Sequence, residues 1–110
     1  MSTLDNWELA AQYDGSTHFE NFTYSVIAAI LVNIVTDGIG TVASAVVGTI
    51  AGTIVSEQIP TVYYHKMVFY YREGPALVTQ VQVLTTFYYD ADHETYLDAT
   101  TETFDGMFPW

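Results

Sequence analysis

Residues Asn21–Ser56 read NFTYSVIAAILVNIVTDGIGTVASAVVGTIAGTIVS, a stretch in which Asp37 is the one charged side chain. Within it Gly40, Ser44, Gly48 and Gly52 recur at intervals of four. Small residues four apart line one stripe of an α-helix and let another backbone approach closely. Glycine inside a helix costs roughly 0.5–1 kcal/mol relative to alanine, so such a stripe makes sense where close packing recovers the loss. Packing within one chain and packing between helices of different subunits both satisfy it.

Around this stripe the pattern predicts two helical segments. Helix one is expected over about Phe19–Val35, with Ser16 or Thr17 as cap and Glu20 in the first turn. Its apolar residues surround the whole helix, the mark of burial in protein or in lipid. Thr36-Asp37-Gly38 then acts as a turn or is absorbed in one long bent helix. Helix two is expected over about Ile39–Gln58 and is stopped by Pro60. Its Val, Ile and Thr content leaves a buried strand as the alternative for part of it. Ahead of both, Met1–His18 carries Leu4, Trp7, Leu9 and Tyr13 in a weak helical pattern ended by Asp14-Gly15-Ser16, and reads as a polar arm or short helix.

After Pro60 the character changes. Thr61–Arg72, Leu77–Tyr89 and Thr95–Phe104 are β-branched and aromatic runs of strand length, separated by turn-rich Glu73–Ala76 and Asp90–His93. Short separators make neighbours pair as hairpins. In the second run Leu77, Val81, Val83, Phe87 and Tyr89 share one face, and Val78, Gln80, Gln82, Leu84 and Tyr88 the other, so neither face is cleanly polar. The doublets Tyr63-Tyr64, Tyr70-Tyr71 and Tyr88-Tyr89 put an aromatic on each face. A sheet with two apolar faces wants two partners: its own helices for one, a neighbouring subunit for the other. Phe108 and Trp110, in the aromatic tail behind Asp105-Gly106, join these six tyrosines as interface candidates.

The expected fold is therefore α+β in a single domain. An N-terminal hydrophobic helical segment or hairpin, about 19–58, precedes a three-stranded antiparallel β meander, about 61–104, with a polar arm at 1–18 and the tail at 105–110. At 110 residues the chain has room for one core.

Thirteen Asp and Glu stand against Lys66 and Arg72 alone, for a formal net charge of −11. Nucleic-acid binding needs clustered Lys and Arg, so no nucleic-acid partner is expected. Acidic residues in place of lysine are also what molar salt favours, since a Debye length of about 3 Å screens their mutual repulsion. This points to a halophilic archaeal system, with a merely acidic mesophilic protein as the alternative. The chain has no cysteine, which removes disulfides and thiolate metal sites. The polar start shows neither a basic n-region with an apolar h-region nor a pilin-type leader, so no processing is expected.

Sites of chemistry are sparse. Asp90, Asp92 and Glu94 alternate as cation ligands can, but an EF-hand loop needs Gly at its sixth position and Glu at its twelfth, where Thr95 and Thr101 stand. A solvated turn fits better. His18, His65 and His93 lie far apart in sequence, each without a second ligand at metal spacing. Neither a G-x-S-x-G elbow nor a G-x-G-x-x-G loop occurs. No catalytic residues, cofactor or metal are therefore assigned, and the chain is expected not to be an enzyme.

These features lead to a structural subunit of a multi-copy assembly: a virion component such as capsid, vertex or tail, or a filament. Its partners would be copies of itself and other structural subunits. The alternative is a membrane-active protein, pore-forming or holin-like, whose glycine-striped helices associate in a lipid bilayer; Gly38–Ser56 just reaches the roughly 20 residues a crossing needs, while Asn21–Thr36 falls short. A soluble domain with a tyrosine-lined pocket comes third.

Overall fold

The computed structural model describes residues 7–37, 45–74 and 77–108, with positions 74, 107 and 108 described by backbone alone. Six elements follow in order: β1 (Trp7–His18), α1 (Tyr24–Thr36), α2 (Val46–Glu57), β2 (Thr61–Gly74), β3 (Leu77–Tyr88) and β4 (Tyr96–Phe108). The strands form one antiparallel sheet in the order β1-β2-β3-β4. The helices are inserted between its first two strands and pack on one face, giving two layers.

This corrects the expected helical N-terminus followed by three strands. The chain begins with a strand, and the sheet has four. Trp7 and Leu9 stand opposite Tyr71 and Phe69, but a register shift between Leu9 and Ala11 then moves the alternation to the other face. The apolar positions of β1 therefore keep no single period, and the strand imitates an irregular arm. Gly15 is no turn either: it pairs with Tyr64, and the tyrosine ring lies over it so closely that a Cβ there would stand 2.5 Å from its Cζ and hydroxyl. An aromatic ring laid over a cross-strand glycine fills the space the missing side chain leaves.

The helix starts also move. Ser16 and Thr17 belong to β1, and α1 begins only at Tyr24, after an Asx turn in which the Thr23 N–H donates to Asn21 Oδ1 at 2.9 Å. Asp37, in the left-handed region at φ 54°, ends α1 and rules out one continuous helix through this point. Gln58, at φ 51°, ends α2; the Ile59 N–H donates to the Ile54 carbonyl at 3.1 Å while buried Ile59 seals the turn. A backbone bond from Phe19 N–H to the Pro60 carbonyl, 2.7 Å, closes the base of the helical insertion onto the sheet.

Ile27, Leu31 and Val35 of α1 and Ile50, Ala51 and Ile54 of α2 are buried with Phe19, Val62 and Phe87 in the main core. A second cluster, Val68, Val78, Val81 and Val83, lies farther along the same sheet face with Ala11, Tyr70 and Phe104. Val78 joins it because the β3 register shifts between Val78 and Gln80, which overturns the face assigned to it by simple alternation. Between the clusters one cross-strand row is polar: Tyr13, Lys66, Thr85 and Thr100 stand opposite one another in register. The Lys66 ammonium, buried there, donates to the Ile34 carbonyl at 3.2 Å and to Asp37 Oδ1 at 2.7 Å, placing one of two cations at the negative end of α1.

Candidate interaction surface

Strand alternation aims Tyr64, Lys66, Val68, Val83, Thr85 and Phe87 at the helices, and so aims the intervening residues at the opposite side. That second face carries Trp7 and Leu9 from β1, Met67, Phe69 and Tyr71 from β2, and Gln82 and Leu84 from β3. Trp7 packs edge-on against Tyr71, with centroids 5.2 Å apart and planes at 64°. Trp7, Phe69, Gln82 and Leu84 line a groove of about 470 Å³. None of the seven residues is charged, and all are half-buried or exposed, Leu9 at 46%.

The other end of this face is braced rather than open. His93, in the left-handed region at φ 58°, stacks flat on Tyr88 at 4.4 Å. His65 Nδ1 lies 2.7 Å from Asp14 Oδ1, and His93 Nδ1 lies 3.9 Å from the same oxygen. Three elements, β1, β2 and the β3–β4 connection, thus meet over one carboxylate. The connection is shaped by Asp90, whose carboxylate accepts the N–H of Glu94 at 3.1 Å and of Thr95 at 2.8 Å. Asp90 is consumed by its own backbone. Among the described residues no group of three His, Asp or Glu side chains is arranged to hold a metal ion.

The tyrosine doublets divide between the faces. Tyr63, Tyr71 and Tyr88 belong to the open side. Tyr64 lies edge-on to Phe87, centroids 6.1 Å apart, against the core, and Tyr70 packs on the valine cluster. Tyr89 also packs on the core and donates to Glu57 Oε1 at 3.2 Å. Its phenol is pushed up from the ordinary tyrosine range, first by loss of solvent and then by the neighbouring Glu57 carboxylate. Phe108 is placed by its backbone opposite Val78, and Trp110 lies outside the described residues.

Of the glycine stripe, Gly40 and Ser44 lie outside the described residues. At Gly48 a Cβ would stand 2.9 Å from the Tyr24 hydroxyl, so this glycine does serve a close contact between α1 and α2. Gly52 has nothing within 4 Å of that position. The stripe is thus not one continuous contact within the chain.

Reasoning from sequence missed the meeting of Asp14, His65 and His93. Two histidines so far apart gain meaning only once β1 is known to pair with β2, and β1 itself carried no regular signal. No family model, no curated protein and no solved structure matches this chain, so its function is argued on geometry and charge alone.

Proposed function

We propose that this chain is a non-enzymatic structural subunit of a multi-copy assembly, a virion component or a filament, built for the salt of a halophilic archaeal system. The observation that carries the reading is the uncharged face centred on Phe69 and Leu84, left uncovered on a chain of net charge −11. Apolar surface of that extent on one side of a sheet marks an interaction site. Most acidic residues lie off this patch, with Glu8, Glu20, Asp37, Glu57, Glu73, Asp92 and Glu94 all exposed, while Asp14 and Asp105 stand at its margins. At molar salt their repulsion is screened and copies can approach. What the described residues bring together at the braced end, two imidazoles and a carboxylate, ties a connection to the sheet.

The membrane reading draws less support. α1 has 13 residues and α2 has 12, against the roughly 20 that span a bilayer, and among the described residues no helix is long and apolar enough to cross. Both helices spend their apolar stripes on the sheet. Sedimentation velocity over a range of protein concentrations in molar salt, with liposome flotation beside it, tests the assignment. Species heavier than the 12.3 kDa chain, and no flotation, are expected. A monomer at every concentration would overturn it.

A further inference from the structure

We infer that Asn21, in the connection between β1 and α1, is an acceptor for an N-linked oligosaccharide. The inference is independent of the assembly reading above.

Asn21-Phe22-Thr23 is an N-x-T triplet whose middle residue is not proline, the pattern that asparagine glycosylation requires in a surface loop. The chain's other asparagines do not qualify: two positions after Asn6 stands Glu8, and two after Asn33 stands Val35. The residues around the triplet present it outward. Phe19 is buried, and its N–H donates to the Pro60 carbonyl at 2.7 Å. Phe22 packs on the main core. With both phenylalanines turned inward, Glu20, Asn21 and Thr23 are exposed.

The hydrogen bonds then set the asparagine nitrogen apart. Asn21 Oδ1 accepts from the Thr23 N–H at 2.9 Å and from the Thr23 hydroxyl at 2.6 Å. Two donors on one atom identify it as the carbonyl oxygen, so Nδ2 is the other end of the amide. Among the described residues Nδ2 makes no hydrogen bond. Thr23 is also the N-cap residue of α1, where a threonine hydroxyl ordinarily accepts an N–H of the first turn. Here no such cap bond forms, and the hydroxyl is turned back to Asn21. The two side chains that the acceptor triplet needs are thus joined to each other, in solvent.

The co-substrate class is an oligosaccharide carried on a polyprenyl diphosphate. Asn21 Nδ2 forms a bond to the anomeric carbon, and the bond from that carbon to the phosphate oxygen breaks. The lipid diphosphate leaves with the electron pair, one Nδ2 proton passes to a carboxylate of the transferase, and nothing is oxidised or reduced. The product has room. Asn21 lies beyond the His18 end of β1, and His18 is roughly 30 Å along the strand from Leu9 on the open patch. A glycan there leaves that patch clear.

To test this, the folded chain is incubated with an oligosaccharyltransferase that reads N-x-S/T and a polyprenyl-diphosphate-linked oligosaccharide, with a standard acceptor peptide establishing that the enzyme is active. Intact mass should show one oligosaccharide added to the 12.3 kDa chain, and peptide fragmentation should map it to Asn21. Thr23→Ser keeps the hydroxyl and should still be modified; Asn21→Gln and Thr23→Val should abolish the addition. Circular dichroism establishes that each variant is folded, and the original chain decides the matter by itself if one is not. No added mass on the folded original chain beside an active enzyme would overturn the inference, as would an addition that survives Asn21→Gln or Thr23→Val.

Discussion

Both faces of this sheet carry large aromatic and aliphatic side chains, and the two sides differ in what lies on them. Phe87 on one face is fully buried beneath α1 and α2; Phe69 on the other is half-buried and lines an open groove. The chain has length for one helical layer, and that layer goes to one side. Both faces are apolar because both are to be covered, one within the chain and the other, on the reading proposed above, by a neighbouring subunit. A strand without a polar face can thus signal assembly as readily as a deep core.

Truncating one aromatic on each face should separate the two sides most clearly. Phe87→Ala should cost about 3–5 kcal/mol in urea unfolding, the range for removing a fully buried aromatic. Phe69→Ala, measured in dilute protein where copies are apart, should cost about 1–2 kcal/mol less than that, because part of its ring stays in water within one chain. Equal losses would mean that the faces are not different.

Gly15→Ala comes next. The Tyr64 ring lies where the new methyl group would go, and Phe87 limits its retreat. A loss of about 1–3 kcal/mol is expected, the usual cost of overpacking, and thermal melting would read it. In the opposite direction, Thr85 and Thr100 bury hydroxyl oxygens with no hydrogen-bond partner among the described residues. Thr85→Val removes one of these while keeping the shape, and should raise stability by about 1–2 kcal/mol. A loss instead would reveal a bound water serving that hydroxyl.

A Cβ at Gly52 would meet nothing within 4 Å, so Gly52→Ala should stabilise by roughly 0.5–1 kcal/mol through helix propensity alone. If the same change weakened self-association, α2 would share in the contact between copies. The smallest effect concerns Tyr89 at the margin of the covered face. Its phenol holds its proton to higher pH folded than unfolded, so its contribution is complete below about pH 10 and is lost as pH rises through the raised value. The melting temperature of the unmodified chain should therefore fall more steeply above pH 10 than that of Tyr89→Phe.

Much of the second half of the fold was legible in the sequence. β2 and β3 were visible as β-branched and aromatic runs, and Glu73–Ala76 and Asp90–His93 marked their ends, because turn residues and strand residues differ sharply there. α1 and α2 were visible through continuous apolar content, although Phe19, a core residue in the segment before α1, drew the predicted start of the helix five residues early. β1 was hidden for a physical reason: one extra residue near Ala10 reversed its alternation, and Gly15, needed beneath Tyr64, looked like a turn. With β1 hidden, so was the convergence of Asp14, His65 and His93. The open face was half legible, since β3 showed two apolar sides, but its Trp7 and Leu9 flank was not.

If Phe69 and its neighbours are covered when copies assemble, oxidative footprinting of Met67, which alternation places on that face beside them, will read it. In molar salt its labelling should fall as protein concentration rises, while labelling of Tyr24 on α1 stays constant. Undiminished labelling of Met67 in a preparation whose mass shows association would contradict the account.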